Sequence, residues 1–123
     1  MSDDSKVDVL VVDDNADLAE SIGDLLDAKG YRVRVAFNGQ QALAMIDVEV
    51  PHCVILDVWM PKLDGRAFAK QLRATFKDDI VLIGISGYDA ESPEVRETFE
   101  LVDHYLQKPL DISVLDRILP DLN

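Results

Sequence analysis

The sequence predicts an α/β fold, a doubly wound sandwich of five parallel strands flanked by five helices. Apolar runs of strand length alternate with helical periodicity along all 123 residues, the pattern of βα units around a parallel sheet. Charged residues also stand where apolar runs stop: Asp13-Asp14 after Val9-Leu10-Val11-Val12, Asp57 after Val54-Ile55-Leu56, and Lys108 after Tyr105-Leu106-Gln107. In open parallel sheets, ligands bind beyond the carboxyl ends of the strands, where these residues would gather.

Val7 to Val12 reads as the first strand. The Asp13-Asp14-Asn15 cluster caps a helix whose stripe is Leu18, Ile22, Leu25 and Leu26, at helical spacing. Lys29-Gly30 stops that helix with a cation and a glycine suited to the position after it. Tyr31 to Ala36, with Val33 and Val35 alternating against Arg32 and Arg34, reads as an edge strand. Asn38-Gly39 opens a short helix carrying Ala42, Leu43 and Ile46, and Pro51 precedes a third strand, His52 to Leu56.

Pro61 and Gly65 bracket a loop, with Asp64 as the N-cap of a helix marked by Phe68, Leu72 and Phe76. Ile80 to Ile85 is nearly all apolar, as a strand buried on both faces should be. Gly84 within it marks a bulge or a close backbone approach. Ser92-Pro93 starts a fourth helix through about Leu101, Tyr105 to Gln107 is the fifth strand, and Asp111 caps a last helix with Val114, Leu115, Ile118 and Leu119. No linker or repeat interrupts the series, so residues 1–123 read as one domain with its core at about 6–119.

Composition excludes several classes. With 12 Lys+Arg against 24 Asp+Glu the formal charge is −12. That disfavours direct nucleic-acid binding, which rests on cations neutralising phosphates, and suits basic surfaces or divalent cations. The one cysteine, Cys53, lies in an apolar run, so it reads as a buried thiol and no intramolecular disulfide can form. No run reaches the roughly 20 apolar residues of a membrane span. Residues 1–6 lack the basic and apolar regions of a secretory signal, so a cytoplasmic location is expected.

Parallel topology would bring Asp13, Asp14, Asp57, Ser86 and Lys108 to one sheet edge. Carboxylates that close repel by roughly 4 kcal/mol per pair at 4 Å and an effective dielectric near 20, so a cation must relieve them. Lys108 supplies one charge, and a divalent metal would supply the rest. Oxygen donors without His or Cys at ligand spacing favour Mg²⁺, or Mn²⁺, over zinc. A metal shared with a phosphate points to phosphoryl chemistry, with Asp57 as nucleophile and Ser86 and Lys108 binding the phosphoryl oxygens. Gly87 leaves space for that group. His52 and His104 have no ligand partners at helical or hairpin spacing and are assigned no role.

Four fragments in order carry a family resemblance: Val11-Val12-Asp13-Asp14-Asn15, Val54-Ile55-Leu56-Asp57-Val58-Trp59-Met60-Pro61 with Gly65, Ile85-Ser86-Gly87, and Tyr105-Leu106-Gln107-Lys108-Pro109. The chain resembles the receiver domain of two-component response regulators, in the manner of the single-domain chemotaxis regulators, over essentially its whole length. The resemblance implies a flavodoxin-like sheet of order 2-1-3-4-5. It makes Asp57 the phosphoacceptor and Asp13 and Asp14 the acidic pair for Mg²⁺, one of them acting through water. Trp59 would offer its backbone carbonyl to the metal. Ser86 and Tyr105 become the switch hydroxyl and switch aromatic, Lys108 pairs with the phosphoryl group, and the Lys108-Pro109 bond is cis.

The same resemblance implies a histidine kinase or histidine phosphotransfer protein as donor, an unnamed downstream protein as receiver of the signal, and a monomer or weak dimer. The chain would be either a free-standing regulator or a receiver excised from a larger protein. Two departures stand out. The junction before the fifth strand, usually small and glycine-containing, reads Leu101-Val102-Asp103-His104, and Trp59 and Tyr88 are large residues expected to shield the acyl phosphate from water. Two other functional classes compete. A phosphatase of the haloacid dehalogenase kind would need a second Asp two residues after the nucleophile, where Trp59 stands. A phosphorylation-independent binding module would not need the complete site.

Overall fold

Parallel strands cannot be joined by tight turns, so each needs a crossover that carries the chain back along the sheet. The computed structural model, which describes residues 7–57, 59–60, 63–76, 79–86, 100–107 and 112–118, meets that need with helices in the first three crossovers. The strands of the main sheet are β1 (Asp8–Val12), β2 (Arg32–Ala36), β3 (Cys53–Asp57), β4 (Val81–Ser86) and β5 (His104–Gln107). They lie in the order β2-β1-β3-β4-β5, and every pairing is parallel. The described helices are α1 (Ala16–Ala28), α2 (Gly39–Val48), α3 (Gly65–Phe76) and α4 (Ile112–Ile118). The expected helix from Ser92 to Leu101 falls almost wholly outside the described residues.

Side chains alternate across a strand, and here the alternation divides the core into two layers. Val9, Val11, Cys53, Ile55, Ile83 and Ile85 pack with Ala19, Ile22 and Leu26 of α1 and Leu115 of α4. Leu10, Val12, Val54, Leu56 and Leu82 pack on the other face with Ala42 and Ile46 of α2 and Phe68, Ala69 and Leu72 of α3. Full burial of each large side chain stabilises by about 1.5–3 kcal/mol, so the paired layers fix the strand register that sets the sheet edge.

Local signals end the helices as their residues dictate. Asn15 caps α1, its Oδ1 accepting the Leu18 N–H at 3.1 Å, and Asn38 caps α2 by accepting the Gln41 N–H at 2.7 Å. Gly30 follows α1 with φ at 102°, a left-handed backbone that glycine adopts without a Cβ penalty.

Several expectations are corrected. Leu25 is 52% exposed, because α1 lies on the sheet through Ala19, Ile22, Gly23 and Leu26 instead. A Cβ at Gly23 would come within 3.3 Å of Val35 Cγ2, so glycine permits the close approach of helix to strand. Gly84 makes no bulge: the register runs unbroken from Cys53–Val81 to Asp57–Ile85, with Gly84 beside Tyr105 on the other side. The segment read as a loop before α3 holds a short antiparallel ladder, Trp59–Met60 with Leu63–Asp64. Asp57 closes β3 as its last residue rather than following it.

Among the described residues, the strand entrances, opposite the acidic edge, hold three polar ties, one of them the exposed Arg32–Glu49 pair at 2.9 Å. Asp8 is buried, and Arg34 bonds its two oxygens at 3.4 Å while also donating to the Met45 and Glu49 carbonyls. His52 Nδ1 accepts the Asp8 N–H at 2.9 Å, tying the start of β3 to that of β1. Another tie joins Arg73 to Asp103 at 2.7 Å.

Candidate functional site

Three carboxylates meet at the carboxyl ends of β1 and β3. Asp13, Asp14 and Asp57 each offer an oxygen lying within 4.8 Å of the others. Asp13 and Asp57 are 3% and 5% exposed, whereas Asp14 faces solvent. Each is placed by the chain around it. The Asp13 N–H donates to the Ala36 carbonyl at 3.1 Å, extending the β1–β2 contact one residue past the strand. Its Oδ1 accepts the Asn15 N–H at 2.9 Å, and Asn15 in turn starts α1. Asp57 is held as the last rung of β3, opposite Ile85.

Buried like charges are unfavourable together. At 4.8 Å, an effective dielectric near 20 gives about 3.5 kcal/mol of repulsion per ionised pair. The donors are hard oxygens, and among the described residues no His or Cys joins the group. That donor chemistry fits Mg²⁺, which takes one or two carboxylates and keeps other positions for water or a phosphate oxygen, and Mn²⁺ accepts the same ligands.

The other expected site residues lie at different levels of description. Ser86 is the last residue of β4, one register step beyond the partner of Asp57, and it pairs with Gln107. Tyr105 is half-buried in β5 opposite Gly84. Trp59 pairs with Asp64 in the short ladder, two residues past Asp57, and only its backbone is described. Lys108, Pro109, Gly87 and Tyr88 lie outside the described residues, as do the expected cis bond and the aromatic shield. Cys53 is buried, and desolvation, with a smaller effect of the Asp103 charge, pushes its thiol far above the usual range.

A parallel sheet of order 2-1-3-4-5 with a cluster of three carboxylates at its strand ends defines a class: doubly wound α/β proteins with an acidic pocket at the carboxyl edge of the sheet. Residues 9–120 match the model of the response regulator receiver domain, and the chain belongs to that family. It is a receiver domain of the two-component signalling class. Response regulator MprA of Mycolicibacterium vanbaalenii is 38% identical over 109 residues, 89% of this chain and 47% of that protein. MprA of Mycobacterium avium is 38% identical over 107 residues, 87% of this chain and 46% of the relative. The chain thus spans about half the length of these curated relatives.

Solved structures agree on the fold. The CheY-like receiver domain from Methylobacillus flagellatus superposes with a TM-score of 0.82 at 30% identity, covering 96% of this chain and 99% of that one. TrrA from Thermotoga maritima, solved in complex with Mg²⁺ and BeF, gives 0.79 at 28% identity, covering 90% and 94%.

Proposed function

We propose that this receiver domain accepts a phosphoryl group on Asp57 and uses the modified state to change a partner-binding face. The observation that carries this reading is the carboxylate trio on adjacent strand ends, two of its members buried within 4.8 Å of each other. Repulsion within such a group opposes folding, which supports a role for the trio beyond the helix-starting bond that Asp13 makes to Asn15.

The Asp57 carboxylate attacks phosphorus of a phosphohistidine on a histidine kinase or histidine phosphotransfer protein. An O–P bond forms, the P–N bond breaks, and the electron pair leaves with the imidazole. Asp13, Asp14 and Asp57, with the Trp59 backbone carbonyl, would hold Mg²⁺ or Mn²⁺. Bound there, the ion supplies positive charge against the carboxylates and the transferred group. Lys108 and the Ser86 hydroxyl are assigned to the phosphoryl oxygens. Ser86 and Tyr105 then favour one of two conformations because the phosphoryl group makes better contacts in it, which is a population shift.

TrrA, with its Mg²⁺ and BeF, supports the metal and phosphoryl assignments by likeness. The reading covers residues 1–123 as one receiver acting in the cytoplasm on an unnamed downstream protein. Among the described residues no helix is long and apolar enough to cross a membrane. The chain would act once per phosphoryl group rather than as a phosphatase turning over substrate.

Incubation with acetyl phosphate and Mg²⁺ followed by intact mass measurement tests the chemistry. One added phosphoryl group is expected, absent in Asp57→Asn and absent in EDTA. An adduct that survives Asp57→Asn, or no adduct at all, refutes the assignment.

A further inference from the structure

The junction that departs from the family pattern, Leu101-Val102-Asp103-His104, carries a cluster of hydrogen bonds. Arg73, in the last turn of α3, donates through Nε to the Leu101 carbonyl at 2.7 Å and through Nη1 to the Ile80 carbonyl at 3.1 Å. Its Nη2 donates to Asp103 Oδ2 at 2.7 Å, and that same oxygen accepts the Leu82 N–H at 2.7 Å. The Asp103 N–H returns a bond to the Leu82 carbonyl, also at 2.7 Å. One guanidinium and one carboxylate therefore tie α3, the entrance of β4 and the approach to β5 together. The planar fork of arginine meets three acceptors in fixed directions, which an ammonium cannot reproduce.

We infer that Arg73 and Asp103 are positioning residues for the Tyr105 switch: they pin the entrance of β5 and make it the hinge about which the exit moves. The inference rests on the phosphorylation reading above. β5 has four residues and, among the described strands, lies at the sheet edge, paired with β4 alone. A short edge strand held by one ladder can shift as a body. Pinned at Asp103, it cannot slide, because a one-residue slip would turn every side chain to the wrong face.

Tyr105 lies two residues beyond the pin, about 7 Å at the usual strand rise. The exit of β4 is fixed to the site by the Asp57–Ile85 pair and to β5 by the Ser86–Gln107 pair. A change at Asp57 reaches β5 at the exit while the entrance stays still, so Tyr105 experiences a tilt. The charged state of Asp103 supports the pin. Partial burial works against its carboxylate, but the Leu82 N–H, Arg73 and His104 outweigh that and hold its pKa below the usual value.

The test uses the full chain labelled with 3-fluorotyrosine, whose three tyrosines are Tyr31, Tyr88 and Tyr105. Fluorine NMR spectra are recorded with and without beryllofluoride and Mg²⁺, the Tyr105 signal being assigned by Tyr105→Phe. In the unsubstituted chain the adduct should move the Tyr105 signal. In Asp103→Ala and Arg73→Met that movement should fall at least twofold while the adduct still forms. Asp103→Asn, near in shape and able to accept the Leu82 N–H, should lie between and serves if the alanine variant does not fold. Arg32→Met breaks the remote Arg32–Glu49 pair and should leave the movement intact, which separates hinge from general stability. An adduct with undiminished Tyr105 movement in the Arg73 and Asp103 variants overturns the hinge alone. No adduct in the unsubstituted chain overturns the phosphorylation reading and the hinge with it.

Discussion

Replacing Asp57 by asparagine should stabilise the metal-free protein. The change keeps the side chain's shape and removes one of three charges whose oxygens lie within 4.8 Å of each other. Asp13 and Asp57 are both buried, so their repulsion of about 3.5 kcal/mol at an effective dielectric near 20 is little screened. Asp14 is exposed, and water-like screening reduces its share to about 1 kcal/mol. The gross relief is thus about 4–5 kcal/mol. Asparagine forms weaker hydrogen bonds than a carboxylate, each bond to a charged group being worth about 1.5–3 kcal/mol, which leaves a net gain of about 1–3 kcal/mol. Urea denaturation in EDTA at low salt measures it. Mg²⁺ at a hundredfold excess over its dissociation constant should stabilise the unsubstituted chain by about 2.7 kcal/mol and the asparagine variant by less, narrowing or reversing the order. If Asp57→Asn were no more stable than the unsubstituted chain in EDTA, the reasoning about a strained cluster would be refuted.

Arg34→Met should cost about 3 kcal/mol, because it leaves the Asp8 carboxylate buried without its guanidinium. Thermal denaturation measures this, and adding Asp8→Asn should recover part of the loss; no recovery would contradict the pairing. Asp103 has a depressed folded-state pKa, so its contribution is present above the unfolded value near 3.9 and is lost as pH falls through the folded value. Urea midpoints of Asp103→Asn and the unsubstituted chain should therefore converge in acid and separate by under about 1 kcal/mol at pH 7, solvent screening keeping the gap small. Cys53 should resist a disulfide-exchange reagent at pH 8 in the native protein and react at once in urea, because burial holds it as the thiol; rapid native labelling would show the site to be open.

The sequence carried the sheet plainly where one residue class filled a strand. The run ending in Ile83-Gly84-Ile85 reads as buried on both faces because nothing polar interrupts it, and Arg32 and Arg34 mark an edge by alternation. The acidic trio was legible because its members stand at strand exits and parallel topology leaves them nowhere else to go. Leu25 misled because apolar size dominates a periodicity reading, whereas α1 needs Ala19 and Gly23 for close approach. The Asp8–Arg34 and Arg73–Asp103 pairs were illegible, being 26 and 30 residues apart in sequence. Only the assembled sheet brings such charges together. His52 likewise gains its role from an N–H that is 44 residues away.

Asp13 and Asp57 sit one residue beyond the Val12–Leu56 pair of neighbouring strands. Their backbones are therefore spaced by the hydrogen-bond ladder, about 4.8 Å, a dimension common to all sheets. No side-chain substitution elsewhere can widen or narrow that ruler, so the buried half of the site has an invariant gauge. Adjustment falls to Asp14, which lies off the ladder in solvent, and to the chain that follows Asp57. Descendants of this sequence could retune the affinity of the site at those positions while the spacing that receives a cation stays the same.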